Sequence, residues 1–382
     1  MQSMMATSMM SRWQKQAVAF LCFSVFYIAL NEFNPWALKA GQFPGFAFPV
    51  FYSMFHMLFS SMAACILLYT VAPPSCGGPS FAQLREYGDG LMVIAICTAL
   101  NVGLNNLSLT LVSLFINQVI KASSPLPTMV FEALLARKRF SLAMVVTVLV
   151  ICVGCVLAPF FKLSHSASDG NSALGVLAVL VAMLASSLKP VVGMIYMQGT
   201  PKRPSLSPTL LLFYDTSLSL CFMLVYWLCS SERALSLAYL ANAPVNAPYL
   251  AGTNATLVGL GIILGGSMMA FCFNLSVYYY LMLTSALTST IGSMSLKVVL
   301  ILAAAMQDHV NDPISWVGIA LATSAMAVYA WISLREEEAT KVESWGGGKG
   351  SEGGIALSAS VGAGPNEWID VQTERTPLTT SN

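Results

Sequence analysis

Residues 106–139 read NLSLTLVSLFINQVIKASSPLPTMVFEALLARKR, a largely apolar stretch in which Lys121 is the only charged residue before Glu132. A membrane-spanning helix needs about 20 predominantly apolar residues. The stretch therefore predicts a membrane span, which we place at residues 112–136. The Arg-Lys-Arg cluster that follows predicts that this end of the span faces the cytosol.

The rest of the chain has the same apolar character. Hydrophobic residues make up 56% of the 382 residues and charged residues 9%, whereas a soluble domain carries about 25% charged residues. Residues 335–382 alone hold 12 of the charged residues, so the body of the chain is poorer still. This composition predicts a polytopic membrane protein. The net charge of +1, with no basic stripe, argues against nucleic-acid binding.

Ten apolar runs are long enough to cross a membrane. They lie at 17–37, 47–71, 90–109, 112–136, 141–161, 172–197, 208–230, 254–278, 280–305 and 313–334. No run alternates with the period of a membrane β-barrel, so the predicted class is all-α. The links between the third and fourth spans and between the eighth and ninth are so short that we expect tight antiparallel hairpins there. The run Tyr278–Tyr280 falls near a predicted cytosolic interface, where an aromatic belt is expected.

The Lys and Arg residues of the short loops indicate the orientation. With the N-terminus in the cytosol, the cytosolic loops receive Arg12, Lys15, Arg85, Arg137, Lys138, Arg139, Lys202 and Arg203, and the opposite side only Lys39, Lys162 and Arg233. We therefore predict that both termini are cytosolic. The predicted organisation is a cytosolic N-terminus at 1–16 without a cleavable signal or transit peptide, a first five-helix repeat at 17–161, a second at 172–334, and a disordered cytosolic tail at 335–382.

Five ionisable residues lie inside predicted spans: Glu32, Lys121, Lys189, Asp215 and Lys297. A charge at the centre of a membrane helix costs roughly 2.5–3.5 kcal/mol on insertion scales. Each of these residues therefore needs either an ion-pair partner or a functional role. Lys189 and Asp215 lie at matching depth on neighbouring spans, and we expect them to form an ion pair. The sequence offers few deep carboxylates to Lys121 and Lys297. These two lysines either pair for packing or, as we favour, bind an anion such as phosphate.

The two halves of the chain echo each other weakly. Each contains an Asn-Leu-Ser, a later Ser and a lone Lys, at Asn106, Ser113 and Lys121 in the first half and at Asn274, Ser285 and Lys297 in the second. The echo relates spans three and four to spans eight and nine. Because each half would then have five spans, the halves would have opposite orientations. Inverted repeats with a substrate site at the midplane are typical of secondary transporters.

Several segments resemble the triose-phosphate/nucleotide-sugar transporter family of the drug/metabolite transporter superfamily. They include FPVFYSMFHMLFSSMAACILL, NLSLTLVSLFINQVIKASSPLPTMVFEALLARKRFS, SLSPTLLLFYDTSLSL and LTSALTSTIGSMSLKVVLILAAAM. The resemblance covers residues 15–335, and its strongest part is the pattern of Ser113, Gln118, Lys121 and Pro125. It implies a ten-helix antiporter with inverted five-helix halves. Such proteins exchange a phosphorylated or nucleotide-linked sugar for phosphate or a nucleoside monophosphate.

The resemblance also implies a substrate site. Lys121 and Lys297 stand where family members bind the substrate phosphate, and Lys189 where many members carry a basic residue. We add Asn117, Gln118 and Asn274 to the predicted substrate-binding residues. Plastid phosphate translocators carry Lys-Arg where this chain has Lys297 followed by Val298, which favours the nucleotide-sugar branch. Asp215 stands where an Asn is expected.

The leading hypothesis from the sequence is an antiporter of the Golgi or another endomembrane that imports a nucleotide sugar in exchange for the nucleoside monophosphate. The alternatives are a sugar-phosphate/phosphate antiporter of a plastid-type membrane and a non-transporting membrane scaffold. No nucleophile–base set, metal-ligand spacing or Gly-rich phosphate loop is present, so we predict no enzyme, cofactor or metal. The expected partners are these substrates and the lipid bilayer, and the sequence leaves a homodimer open.

Overall fold

The computed structural model describes residues 12–38, 43–71, 78–111, 120–121, 123–157, 173–199, 203–241, 254–307 and 313–346. Within these ranges the chain forms eleven α-helices and no β-strand. The helices are α1 (Arg12–Ala37), α2 (Pro49–Thr70), α3 (Phe81–Leu111), α4 (Pro125–Leu135), α5 (Leu142–Leu157), α6 (Ala173–Gln198), α7 (Pro208–Cys229), α8 (Glu232–Leu240), α9 (Ala255–Leu283), α10 (Ala286–Gln307) and α11 (Pro313–Gly346).

Seven of the described helices are long and apolar enough to cross a membrane, namely α1, α2, α3, α6, α7, α9 and α11. Helices α4 and α5 are apolar but shorter. The predicted class of an all-helical membrane protein is therefore confirmed. The expected tight link between the eighth and ninth spans is also present, because only Thr284 and Ser285 separate α9 from α10.

The helix starts follow from local chemistry. Helices α2, α4, α7 and α11 all begin with a proline, whose missing N–H is not needed in the first turn. The side chain of Ser207 accepts a hydrogen bond from the N–H of Leu210 at 3.3 Å at the start of α7. Asn254 caps α9 in the same way through the N–H of Leu257, also at 3.3 Å.

The helices differ from the predicted spans at several points, among them one helix start, one interruption and one additional helix. Helix α3 begins at Phe81, nine residues before the predicted start of the third span, because the polar residues that open it are good helix formers. The fourth span is interrupted, since α4 starts only at Pro125, after a turn at Ser123 and Ser124. Pro125 and Pro127 have no N–H to continue the hydrogen-bond ladder from the preceding turn. The short helix α8, in the loop after α7, was not predicted.

The described residues up to Ala330 form one compact unit, and the described residues from Trp331 to Gly346 belong to another. In the first unit, α3 packs along α6, α7 along α2, and α9 along α1. A buried apolar cluster that includes Leu91, Val191 and Leu211 fills the space between α3, α6 and α7. In the second unit, α11 continues to Gly346, and the guanidinium of Arg335 lies 4.4 Å from the ring centre of Trp331.

Helices α5 and α11 approach closely at Gly154. A Cβ atom on Gly154 would lie 2.5 Å from the backbone nitrogen of Ala322 and 2.9 Å from the carbonyl oxygen of Gly318. Backbone atoms cannot turn away as a side chain can, so the helices would have to separate. We expect Gly154→Ala to destabilise the protein by about 1–3 kcal/mol, measured as a lower melting temperature in detergent.

Gly261→Ala in α9 is the matched control for this substitution. A Cβ atom on Gly261 meets nothing within 4 Å. The control variant should melt at or above the temperature of the wild type, because alanine is the better helix former. Equal melting temperatures for Gly154→Ala and Gly261→Ala would show that the contact between α5 and α11 is not tight.

Candidate functional site

A polar cluster inside the helix bundle is centred on Asp215 of α7, whose side chain is 2% exposed. Its Oδ2 lies 2.8 Å from Nζ of Lys189 and accepts a hydrogen bond from the hydroxyl of Tyr278 at 2.8 Å. Its Oδ1 accepts hydrogen bonds from the hydroxyls of Thr98 at 2.8 Å and Ser219 at 3.2 Å. The predicted ion pair between Lys189 and Asp215 is therefore confirmed.

The Asp215 cluster connects four helices, α3, α6, α7 and α9, through one carboxylate. Four donors surround the carboxylate, which offsets the cost of removing its charge from water. Nζ of Lys189 also lies 5.6 Å from the ring centre of Tyr278. Because Asp215 neutralises Lys189, this ammonium attracts an anion less strongly than an isolated lysine would. The part of Lys189 in substrate binding stays a prediction.

Tyr278 was not recognised as a site residue from the sequence. The prediction of an interfacial aromatic belt is wrong for it, because Tyr278 is buried and hydrogen-bonded to Asp215. Tyr280 is also buried, whereas Tyr279 is 40% exposed. The available signal was spacing, since Tyr278 lies one helical turn after Asn274 and shares its face. Glu32 is exposed on α1, and its depth in the membrane stays a prediction.

Lys121 lies directly before the turn that interrupts the fourth span. Its Nζ donates a hydrogen bond to Oδ1 of Asn105 on α3, and its side chain is half-buried. The N–H of Ser124 bonds to the carbonyl oxygen of Lys121 at 3.2 Å, which closes the turn. Asn105 is a further residue that the sequence analysis missed. The structure thus places one predicted cation beside an amide, within the apolar part of the chain.

The turn after Lys121 is held against α6. The carbonyl oxygen of Ser124 accepts hydrogen bonds from the hydroxyls of Thr128 at 2.8 Å and Ser187 at 3.3 Å. Ser187 lies two residues before Lys189, so the interrupted helix and the Asp215 cluster both contact the same part of α6. Irregular backbone at membrane depth occurs only where it is buried in protein or lines a cavity.

The other predicted site residues are described only in part. Asn274 is half-buried on α9. Lys297 belongs to α10, but its side chain lies outside the described part of the structure. Asn117 and Gln118 lie outside the described residues altogether. The structure therefore brings Lys189 to Asp215 and Lys121 to Asn105, and the substrate-binding role of the whole predicted set stays a prediction.

These features define a multi-pass helical membrane protein with polar groups inside its bundle. The family model described as the Triose-phosphate Transporter family matches residues 14–330, and the chain belongs to this family. The resemblance seen in the sequence is thus confirmed. Members of the family are transporters and not enzymes, which makes this chain a membrane transporter.

Two comparisons extend this result. A "probable sugar phosphate/phosphate translocator" of Arabidopsis thaliana is 24% identical over 324 residues, which cover 83% of this chain and 87% of the relative. A protein of known crystal structure superposes with a TM-score of 0.53 and 13% identity, over 85% of this chain and 97% of that one. At this identity the second likeness concerns the fold alone.

Proposed function

We propose that the chain is an antiporter that exchanges a sugar phosphate for inorganic phosphate. The observation that carries this proposal is the position of Lys121, an ammonium held by Asn105 next to an interrupted helix within the bundle. Discontinuous helices of this kind form the substrate sites of many secondary transporters. The name of the Arabidopsis relative supports the choice of a sugar phosphate.

The helix contacts support two inverted five-helix halves. In such an arrangement the first, second, third and fourth spans correspond to the sixth, seventh, eighth and ninth. The contact of α3 with α6 then corresponds to the contact of α9 with α1. The contact of α7 with α3 corresponds to that of α2 with α9, and the contact of α4 with α6 to that of α10 with α1. All six contacts are present in the structure. The distribution of Lys and Arg supports cytosolic termini.

In the proposed mechanism, Lys121 and Lys297 bind the phosphate group between the two halves. The anion neutralises the two ammonium groups, so the loaded carrier can move its site across the low-dielectric core. An empty carrier would have to move both ammonium groups without that anion and would cross slowly. This difference produces obligate exchange rather than net leak.

Exchange of a nucleotide sugar for its nucleoside monophosphate is the second candidate. The observation that favours it is Val298 directly after Lys297, where plastid phosphate translocators, as the family resemblance implies, carry an Arg. Without the guanidinium fork, a bidentate grip on a small phosphate is lost. The Golgi or another endomembrane would be the location for this candidate, and a plastid-type membrane for the first.

Exchange in reconstituted vesicles separates the two candidates. Vesicles are preloaded with inorganic phosphate, UMP, GMP, CMP or AMP, and a mixture of sugar phosphates and nucleotide sugars is added outside. We expect sugar phosphate to accumulate only in the vesicles that contain inorganic phosphate, because inorganic phosphate is its exchange partner in the proposed cycle. Mass spectrometry measures the accumulated solute, and protein-free vesicles are the control.

Two other outcomes contradict the sugar-phosphate proposal. Accumulation of a nucleotide sugar only against its matching monophosphate would establish the second candidate and identify the base. The absence of exchange in every batch, with protein that melts cooperatively, would favour the non-transporting scaffold. In that case the cytosolic tail would be the segment to test for partners.

A further inference from the structure

A buried carboxylate at the end of α4 contacts the first turn of α10. The N–H of Leu287 donates a hydrogen bond to Oε1 of Glu132 at 2.8 Å, and the Glu132 side chain is fully buried. Oε2 of Glu132 lies 3.3 Å from Nζ of Lys138. Helix α10 begins at Ala286, so Glu132 accepts one of the N–H groups that have no partner within the helix.

A second carboxylate makes the same kind of contact at the start of α2. Oε2 of Glu232, the first residue of α8, accepts hydrogen bonds from the N–H groups of Val50 at 3.0 Å and Phe51 at 3.2 Å. Glu232 follows closely on the end of α7. Burial raises the pKa of this carboxyl, and the two N–H donors partly oppose that rise. A negative charge is favourable at a helix N-terminus.

In the proposed ten-span arrangement the two contacts lie at opposite faces of the membrane. The start of α2 and the end of α4 are then separated by three spans, the second, third and fourth. The contacts also run in opposite directions between the proposed halves. Glu132 reaches from the first half to Leu287 in the second, and Glu232 reaches from the second half to Val50 and Phe51 in the first.

We propose that Glu132 and Glu232 are positioning residues of the exchange cycle, each holding one face of the carrier closed. The inference rests on the proposed function, because alternating access requires the contacts between the halves to break at one face at a time. Glu132 also sets the position of α10, which carries Lys297, relative to α4, which follows Lys121. The carboxylate thereby controls how the two predicted phosphate ligands approach each other.

The surroundings of Glu132 suit a contact that opens and closes. Arg137 adopts a left-handed φ of 53° at the end of α4, which turns the chain back, and the N–H of Lys138 bonds to the carbonyl oxygen of Glu132 at 3.3 Å. Lys138 therefore moves with Glu132 and keeps its charge paired when α10 leaves. About one helical turn from Glu132 and Leu287, the hydroxyl oxygens of Thr128 and Thr290 lie 3.5 Å apart and extend the contact between α4 and α10.

Hydrogen–deuterium exchange of the full-length protein in lipid nanodiscs tests the inference. In Glu132→Ala, we expect the amides at the start of α10 to exchange about tenfold faster, because a hydrogen bond to a charged acceptor is lost. The amides of Val50 and Phe51 should exchange more slowly, because opening one face closes the other. Glu232→Ala should produce the reverse pattern, with faster exchange at the start of α2 and slower exchange at the start of α10.

The reciprocal change distinguishes a gate from a structural cap. A merely structural cap would give faster exchange at its own helix and no change at the other face, and this result overturns the inference. Asp89→Ala is the matched control, since it removes an exposed carboxylate that pairs with Arg203 and Tyr196, and it should change neither segment. If an alanine variant does not fold, Glu132→Asp and Glu232→Asp withdraw the carboxylate by one methylene and should shift exchange in the same directions.

The readout does not depend on which solute the protein carries. Reciprocal labelling together with no transport of any tested phosphate would overturn the proposed substrates and leave the gate in place. Transport without reciprocal labelling in the Glu132 and Glu232 variants would support the antiporter and overturn the gate.

Discussion

Lys121→Gln is expected to lower the kcat/KM of exchange by about 10- to 100-fold in reconstituted vesicles. The amide keeps a donor for Asn105, so the polar contact between the turn and α3 can persist. It lacks the positive charge, however, and a hydrogen bond to a charged group contributes about 1.5–3 kcal/mol. The loss of that contribution to phosphate binding corresponds to the expected range.

Lys15→Gln provides the matched control for Lys121→Gln. The same chemical change is then made in the first turns of α1, at a residue outside the predicted substrate-binding set. This variant should exchange at the rate of the wild type. If Lys121→Gln retains kcat/KM within twofold of the wild type while melting normally, Lys121 is not a phosphate ligand and the proposed mechanism is wrong.

Asp215→Ala is expected to destabilise the protein by about 3–5 kcal/mol, because it leaves the ammonium of Lys189, whose side chain is 22% exposed, inside the bundle without its carboxylate. The hydroxyl of Tyr278 loses its acceptor at the same time, whereas the hydroxyl of Thr98 keeps the carbonyl oxygen of Ile94 at 2.9 Å. Thermal unfolding in detergent measures the effect. The additional change Lys189→Met removes the uncompensated charge, so the double variant should recover a large part of the lost stability.

The ion pair between Asp89 and Arg203 is the matched control for the buried pair. Its atoms lie 3.3 Å apart, but the Asp89 side chain is 65% exposed. Exposed ion pairs contribute about 0–1 kcal/mol, so Asp89→Ala should change the melting temperature little. If Asp215→Ala and Asp89→Ala destabilise the protein equally, or if adding Lys189→Met restores no stability, the Asp215 cluster does not contribute to stability as proposed.

Some parts of the site could be predicted from the sequence because they depend only on residues that are close together in it. A lysine inside an apolar run is costly wherever the helix packs, so Lys121, Lys189 and Lys297 were found without any knowledge of the fold. The pair of Lys189 and Asp215 could be predicted because one short loop joins their helices and sets their depth. The interruption beside Lys121 was missed, although Pro125 and Pro127 are local signals for it.

Other parts could not be predicted because they join distant segments. Thr98 reaches Asp215 across 117 residues, and Leu287 reaches Glu132 across 155. Neither Thr98 nor Leu287 has a chemistry that stands out in the sequence. Tyr278 was assigned to a membrane interface because three consecutive tyrosines are typical of one, whereas packing against α7 buries the first of them.

The sequence by itself determined the membrane class, the helical content and the family of this protein. These properties depend on the length of apolar runs and on the order of short motifs, and both are contained in consecutive residues. Only the tertiary structure decided which donors surround Asp215 and which helix ends receive Glu132 and Glu232. A buried carboxylate must find donors somewhere in the bundle, but helix packing determines which donors come within hydrogen-bonding distance.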